Sequence, residues 1–525
     1  MKKTILILML WICACTVLNA QDKGQLTGSL ESLDHFYVKD EANESKYPDD
    51  RFATNNYLKL DFYKGKFSAG MQLEGYFPAV VGYPEELKKV ALSNLYVNWK
   101  DERFDITAGT FYDQFGSGLL FRSWEDRQLG LNTAVAGARF AYNFKDMVNV
   151  RALWGVPRLG MKFTDTQVRG IDLSLSISNM AGWDKVMWNI EASGLNKYES
   201  LKSNPSLLDM GYKENTYGWS ARTNLDVMGF YLKGEYVDAG NIALGGESKN
   251  SNAQLLELGY NDNGLGVTLT ARRLERMNQP ISVFSLSKVN MISYVPAMCA
   301  QHTYMLLTLN PYNCNVGSEA NAGSGEIGGQ LDAFYNFRRG TKMGGKRGMR
   351  MHANFSTYYT IAEEGTFKGG NHLYTDFTFD VSKQFTKKFK AIFMYNLMQQ
   401  NLDHGFSDRE QLSNTFIADL LYKYTPSIST RMELQYLQSA QADRDWMAIL
   451  LEVNFAPHWS IWGSDMINHG TTNKNYYNAG VSFTKGRTRL ALGYGRYRKG
   501  FICSGGVCRE IPAYTGLNFS LTSSF

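Results

Sequence analysis

The segment Gly109 to Phe140, GTFYDQFGSGLLFRSWEDRQLGLNTAVAGARF, crowds Arg122, Glu125, Asp126, Arg127 and Arg139 among the glycines Gly116, Gly118, Gly130 and Gly137. Glycine lets a chain turn sharply and approach other backbone closely. Mixed charge at this density is costly to bury unless it is paired. Folded into a wet lumen, these residues would line a constriction and sort small solutes by charge, as rings of charged side chains do in pores. Held outside, the same residues make a solvated loop, and a structural salt-bridge network would show the same composition. The residue types leave these readings open.

The cysteines are the next candidates. Cys503 and Cys508 bracket SGGV, and Cys299 and Cys314 share a long segment without strand pattern. Local pairs in an exported chain are expected to close small disulfide loops. No metal or cofactor is expected, because the His residues are scattered and neither pair has His or acid at ligand spacing. An enzyme is not expected either. His352 and Ser356 share one strand face but sit about 13 Å apart along it. No Gly-x-Ser-x-Gly elbow, phosphate loop or His-Glu-x-x-His run is present.

The elements that must position these residues are read from alternation. The last residues, IPAYTGLNFSLTSSF, put Leu517, Phe519, Leu521 and Phe525 on one parity and Asn518, Ser520, Thr522 and Ser524 on the other. One face is greasy and one is wet, which suits the terminal strand of a barrel closed in a bilayer. Such a strand, ending on an aromatic, is the mark by which the barrel assembly machinery recognises its clients for insertion. At the other end, residues 1–20 (MKKTILILMLWICACTVLNA) read as a secretory signal peptide cut after Ala20. A lipobox-like reading that would make Cys15 a lipid-bearing first residue stays open. After the signal no apolar run of about 18 residues occurs, and mean hydropathy is −0.31, so helices do not span a membrane. A net charge of +5 spread along 525 residues gives no case for nucleic acid. Residues 21–525 are therefore expected to form a single domain in contact with outer-membrane lipid, an all-β antiparallel outer-membrane β-barrel.

The connections test that expectation, since membrane barrels alternate short periplasmic turns with long outer loops. Short joints fall at Tyr63 to Lys66, Lys100 to Arg103, Phe144 to Met147, Val227 to Gly229, Asn261 to Gly264, Phe385 to Phe389, Thr425 to Ser427, Ala456 to Trp459 and Lys485 to Arg487. Longer connections lie between them, among them Asp113 to Ala134, Asp238 to Ser251, Arg276 to Gly325 and Lys499 to Glu510. The count is about 24 strands, within about 22 to 26, with both termini periplasmic and both cysteine pairs on outer loops. A circular barrel of that size would be roughly 45 to 50 Å across and would leak if left empty. No separate plug domain is read ahead of the first strand, so inward loops, a flattened section or a partner must fill the lumen. Gly109 to Phe140 and Arg276 to Gly325 are the candidate fillers.

Gly109, Tyr112, Gln114, Phe115, Gly116, Gly118, Leu119, Arg122, Glu125, Arg127, Leu129 and Gly130 together resemble the signature of a Bacteroidota outer-membrane barrel family of unassigned function. The resemblance implies location in the Gram-negative outer membrane and a barrel fold, and it implies no substrate. The function expected is a channel or transporter for small polar solutes. The alternative is a loop-plugged barrel that docks or assembles other envelope proteins.

Overall fold

The computed structural model describes residues 24–525 except 44–49, 245, 278, 286–289, 296, 310–311, 313–324, 442–443 and 505–506. The expected signal peptide, with Cys15, and Cys314 lie outside the described residues.

Alternation of apolar and polar residues forces extended structure wherever one face meets lipid and the other water, and the chain obeys it throughout. The barrel strands begin with β1 (Gln25–Tyr37), β2 (Phe52–Lys64), β3 (Phe67–Tyr76), β4 (Lys89–Lys100), β5 (Phe104–Phe111), β6 (Val135–Phe144), β7 (Val148–Leu159) and β8 (Gln167–Ser176). They continue with β9 (Val186–Tyr198), β10 (Asn215–Val227), β11 (Phe230–Leu244), β12 (Glu247–Asp262), β13 (Leu265–Glu275), β14 (Gly325–Phe337), β15 (Met349–Ile361) and β16 (Gly369–Gln384). The last are β17 (Phe389–Asn401), β18 (Glu410–Lys423), β19 (Ile428–Ser439), β20 (Asp445–Phe455), β21 (Trp459–His469), β22 (Asn475–Lys485), β23 (Thr488–Tyr497) and β24 (Tyr514–Ser524). Each pairs antiparallel with the next, giving a closed 24-stranded barrel.

Closure is made where the terminal strand meets the first. Ser29 to Tyr37 lie opposite Ser524 to Gly516. Gly28 and Phe525 exchange backbone hydrogen bonds of 2.8 and 2.9 Å, which removes the last sheet edge. Leu517, Phe519 and Phe525 face outward, as their parity requires.

The outer wall is apolar along its height, as Leu95 and Val97 on β4 and Met447, Ile449 and Leu451 on β20 show. Exposed aromatics ring the short-turn end (Trp99, Phe144, Phe230, Phe455, Trp459), and others ring the long-loop end (Phe52, Trp154, Trp219, Tyr359). Chain entry and exit share the short-turn end, since Gln25 pairs with Tyr63 and Ser523 with Thr488.

Two expected loops are partly strand. The Asp238 to Ser251 connection continues the β11–β12 ladder to Leu244 and Glu247, with a register shift between Asp238 and Gly240. Strands above the lipid need no apolar face, so the polar residues there read as loop by composition. The Lys499 to Glu510 connection contains a hairpin, Gly500–Ser504 with Val507–Ile511, whose register sets the backbones of Cys503 and Cys508 opposite each other. Their side chains lie outside what the structure describes.

Candidate functional site

Among the described residues, the lumen holds much of two loops, L3 (112–134) and L7 (276–324), with the 77–88 connection packed beside L3. L3 leaves β5 after Phe111 and doubles back twice, Gln114–Phe115 pairing with Phe121–Arg122 and Glu125–Asp126 with Leu131–Asn132. Phe115, Leu119, Leu120 and Phe121 are each at most 2% exposed. They share one apolar cluster with Leu153, Val168 and Val237 of the wall and Ile281 and Ile292 of L7. Burial of each such side chain stabilises the inward fold by roughly 1.5–3 kcal/mol. A solvated outer loop makes no such cluster.

The first hairpin ends against the wall. Ser117 N donates to Glu235 Oε2 of β11 at 3.1 Å. A Cβ on Gly116 would stand 2.4 Å from Arg222 Cδ and 2.5 Å from Glu235 Oε1, and its φ is +53°. Glycine is required there on both counts. The second hairpin is held on the opposite flank, where Arg127 pairs with Glu31 of β1 at 2.6 Å and donates to Gln72 of β3 at 3.0 Å. L3 thus bears on wall from β1 to β11.

The charged residues singled out from sequence are fasteners of this fold. Glu125 accepts from Gln72 at 2.6 Å and lies 3.4 Å from Arg127 Nε. Burial pulls the Arg127 guanidinium down from its ordinary range, but Glu125 and Glu31 outweigh it and the net shift is upward. Asp126 Oδ1 accepts from Leu129 N at 3.0 Å and closes a turn. Arg139, on β6, pairs with Asp113 at 2.8 Å and Asp105 at 3.3 Å. Arg122 stacks between the rings of Trp124 and Tyr294, 4.3 and 3.8 Å from their centroids.

A wall network missed from sequence continues this pairing. Asp113 takes Arg151 at 2.8 Å, Arg151 reaches Asp172 at 2.5 Å, and Arg222 bridges Asp172 at 2.5 Å and Glu191 at 2.8 Å. The signal available was charge at inward parity on the successive strands β7 to β10, which becomes a network only once register aligns them.

L7 fills the other side. Its carbonyl at Pro280 accepts from Lys197 of β9, and Ser282 donates to Glu199 at 2.5 Å. Farther along, Met298 O accepts from Tyr358 of β15 at 2.6 Å and Tyr304 OH donates to Asp419 of β18 at 3.2 Å. Leu306 and Leu309 pack on Leu437, Trp446 and Ala448. The two loops clasp each other: Arg122 N donates to Ile292 O at 3.0 Å and Tyr294 N to Gly118 O at 2.9 Å.

Cys299 lies in L7 as a free thiol, and its expected partner Cys314 lies outside the described residues. Its side chain packs against the apolar cluster, and burial, with Asp376 adding to it, pushes the thiol up to about 12.

One arc stays bare. Inward from β21 to β24 the register aligns Ser464, Asn478, Gly495 and Gly516 in one row and Ser460, Ser482, Ala491 and Ser520 in another. Between them run Trp462, Gly480, Gly493 and Asn518. The Trp462 ring lies over Gly480, whose Cβ would stand 2.3 Å from Cζ2. Among the described residues, no hydrogen bond or ion pair joins these rows to L3 or L7. The result is a lane with few protruding side chains, flanked by loop-filled lumen.

A family model described as a family of unknown function (DUF6029) matches residues 1–525, and the chain belongs to that family. No curated protein matches it. Among solved structures, the siderophore receptor PirA from Pseudomonas aeruginosa is 9% identical with a TM-score of 0.43, over 97% of this chain and 82% of that one. The copper transporter OprC is 8% identical with a TM-score of 0.42, over 97% and 84%. OccAB3 from Acinetobacter baumannii is 9% identical with a TM-score of 0.35, over 96% and 99%. At these scores the likenesses say nothing of what this chain carries.

Proposed function

We propose that this member of the family spans the outer membrane of a Gram-negative cell, with both termini in the periplasm, and passes small polar solutes along the β21–β24 lane. An apolar outer wall with an aromatic girdle at each end, on a barrel without an open edge, is what a bilayer demands of strands. Two clasped loops that fill the rest of the lumen restrict the passage to small molecules. The observation that carries the reading is the lane itself: three rows of small or neutral inward residues beside a lumen otherwise packed with fastened loop. Arg122, Glu125, Asp126, Arg127 and Arg139 then set the width of the passage by holding L3 in place, without lining it.

Reconstituted liposomes test this. They are expected to swell in iso-osmotic glycerol, erythritol and glucose at rates that fall with solute size. Swelling no faster than that of protein-free vesicles for all three contradicts the reading.

A further inference from the structure

Between L7 and the inner faces of β16 to β19 lies a cavity of about 100 Å³. Cys299, Gln301 and His302 of L7 line one side, and Asp376, Asn396, Ser413 and Thr415 of the wall line the other. At about 10–15 Å³ for one water, it takes several waters or one polyol of roughly three to six carbons.

Two groups in it are unusual. Ser413 is 1% exposed and Thr415 0%, and both side chains face the lumen from β18. Neither hydroxyl has a hydrogen-bond partner among the described residues. Buried hydroxyls left unpaired are destabilising, and native proteins keep few of them. Their cross-strand neighbours do not supply one. Ser413 stands beside Met398, and Thr415 beside Asn396, whose amide is already given to Asp376 Oδ2 at 2.7 Å and Thr378 Oγ1 at 3.0 Å.

The charge in the cavity is also accounted for. Asp376 accepts from Thr378 at 3.1 Å, from Asn396, and from Tyr374 OH at 3.4 Å, and His302 Nε2 lies 4.0 Å away. A cationic ligand would have to displace those donors, and an anionic one would face the carboxylate. Neutral hydroxyls can give to and take from Ser413 and Thr415 without desolvating an ion. The stacked rings of Tyr312 and Tyr374, 4.4 Å between centroids, add an apolar face for carbon-bound hydrogens.

We infer that this cavity is a binding site for a small neutral polyol, held by the hydroxyls of Ser413 and Thr415 beside the Asp376 carboxylate. The cavity lies apart from the β21–β24 lane, so the inference goes beyond the channel reading and stands without it.

The test uses the full chain in detergent, with saturation-transfer NMR titrations of glycerol and erythritol and with glycerate and ethanolamine as charged comparators. Saturable binding of the polyols and none of the comparators is expected. The Ser413→Ala/Thr415→Val double variant is expected to bind erythritol at least tenfold more weakly while keeping the heat-modifiable gel migration of a folded barrel. Ala300→Phe, which fills the cavity from L7, is expected to lose binding equally and serves if the double variant does not fold. Absence of saturable polyol binding, water alone in the cavity, equal binding of a comparator, or binding unchanged in both variants overturns the inference. Liposome swelling on the same preparation separates the two claims. Swelling without polyol binding removes the site and leaves the channel, whereas binding without swelling keeps the site and removes the channel.

Discussion

From β6 to β11 the inner wall carries Arg139, Arg151, Asp172, Arg222 and Glu235, each tied to a neighbour or to L3. From β21 to β24 the three central inward rows hold mostly Ser, Gly, Ala and Asn and make no hydrogen bond or ion pair to either loop among the described residues, while Met466 and Tyr476 beside them pack on the cluster of Leu306 and Leu309. Both arcs have the same strand geometry and the same alternation. The difference teaches that L3 is fastened where the inner wall of β6 to β11 carries charge, and that the small neutral rows of β21 to β24 offer it no such hold. A search for a channel by its charges alone would have led to the filled side.

The comparison can be broken by substitution on each arc. Arg222→Met leaves Asp172 and Glu191 without their shared cation, and a loss of about 3–5 kcal/mol is expected in urea unfolding. Gly493→Ala on the bare arc is expected to shift stability by less than about 0.5 kcal/mol. Similar losses from the two would erase the distinction.

The seating of L7 can be tested through its thiol. Burial lifts Cys299 to about 12, so at pH 8 the thiolate is scarce, and alkylation by iodoacetamide is expected to run at least roughly fiftyfold slower than for an unburied cysteine. Denaturant is expected to restore the ordinary rate. Fast labelling of the folded barrel would mean that L7 is not packed as described.

Arg122→Ala removes the stack on Trp124 and Tyr294, an interaction of about 1–2 kcal/mol when desolvated. The clasp is then expected to open intermittently, and current noise in planar bilayers to rise severalfold. A trace as quiet as wild type would mean that the backbone pairs alone hold the loops.

The smallest effect is expected from Gly493→Trp. The position has room, its Cβ meeting nothing closer than 3.4 Å, and a large side chain there should cut conductance by roughly half by narrowing the lane. Unchanged conductance would move the passage elsewhere.

Much of this architecture is legible in the order of the amino acids alone. Lipid on one side and water on the other impose period two, so strand parity and the short joints can be read directly, and Phe525 lies on the lipid face as its alternation requires. The glycine and charge density of 109–140 marks that segment as unusual, and L3 does fold inward. The pairing of Arg139 with Asp113 is not legible, nor is the line from Arg151 to Glu191, because inward polar residues are ordinary in a barrel and gain partners only when register sets neighbouring strands side by side. Ser413 and Thr415 look like any wet-face residues for the same reason. The β11–β12 extension escapes because strands above the bilayer lose the lipid-facing signal that reveals the others.

The central claim, that L3 and L7 fill the lumen and leave one narrow lane, is tested most directly by single-channel conductance of the intact chain beside a variant with residues 281–309 replaced by a short Gly/Ser linker. A small steady current for the intact chain and one several times larger for the variant is predicted. No current through the intact chain in either polarity, or equal currents through both, would contradict the account.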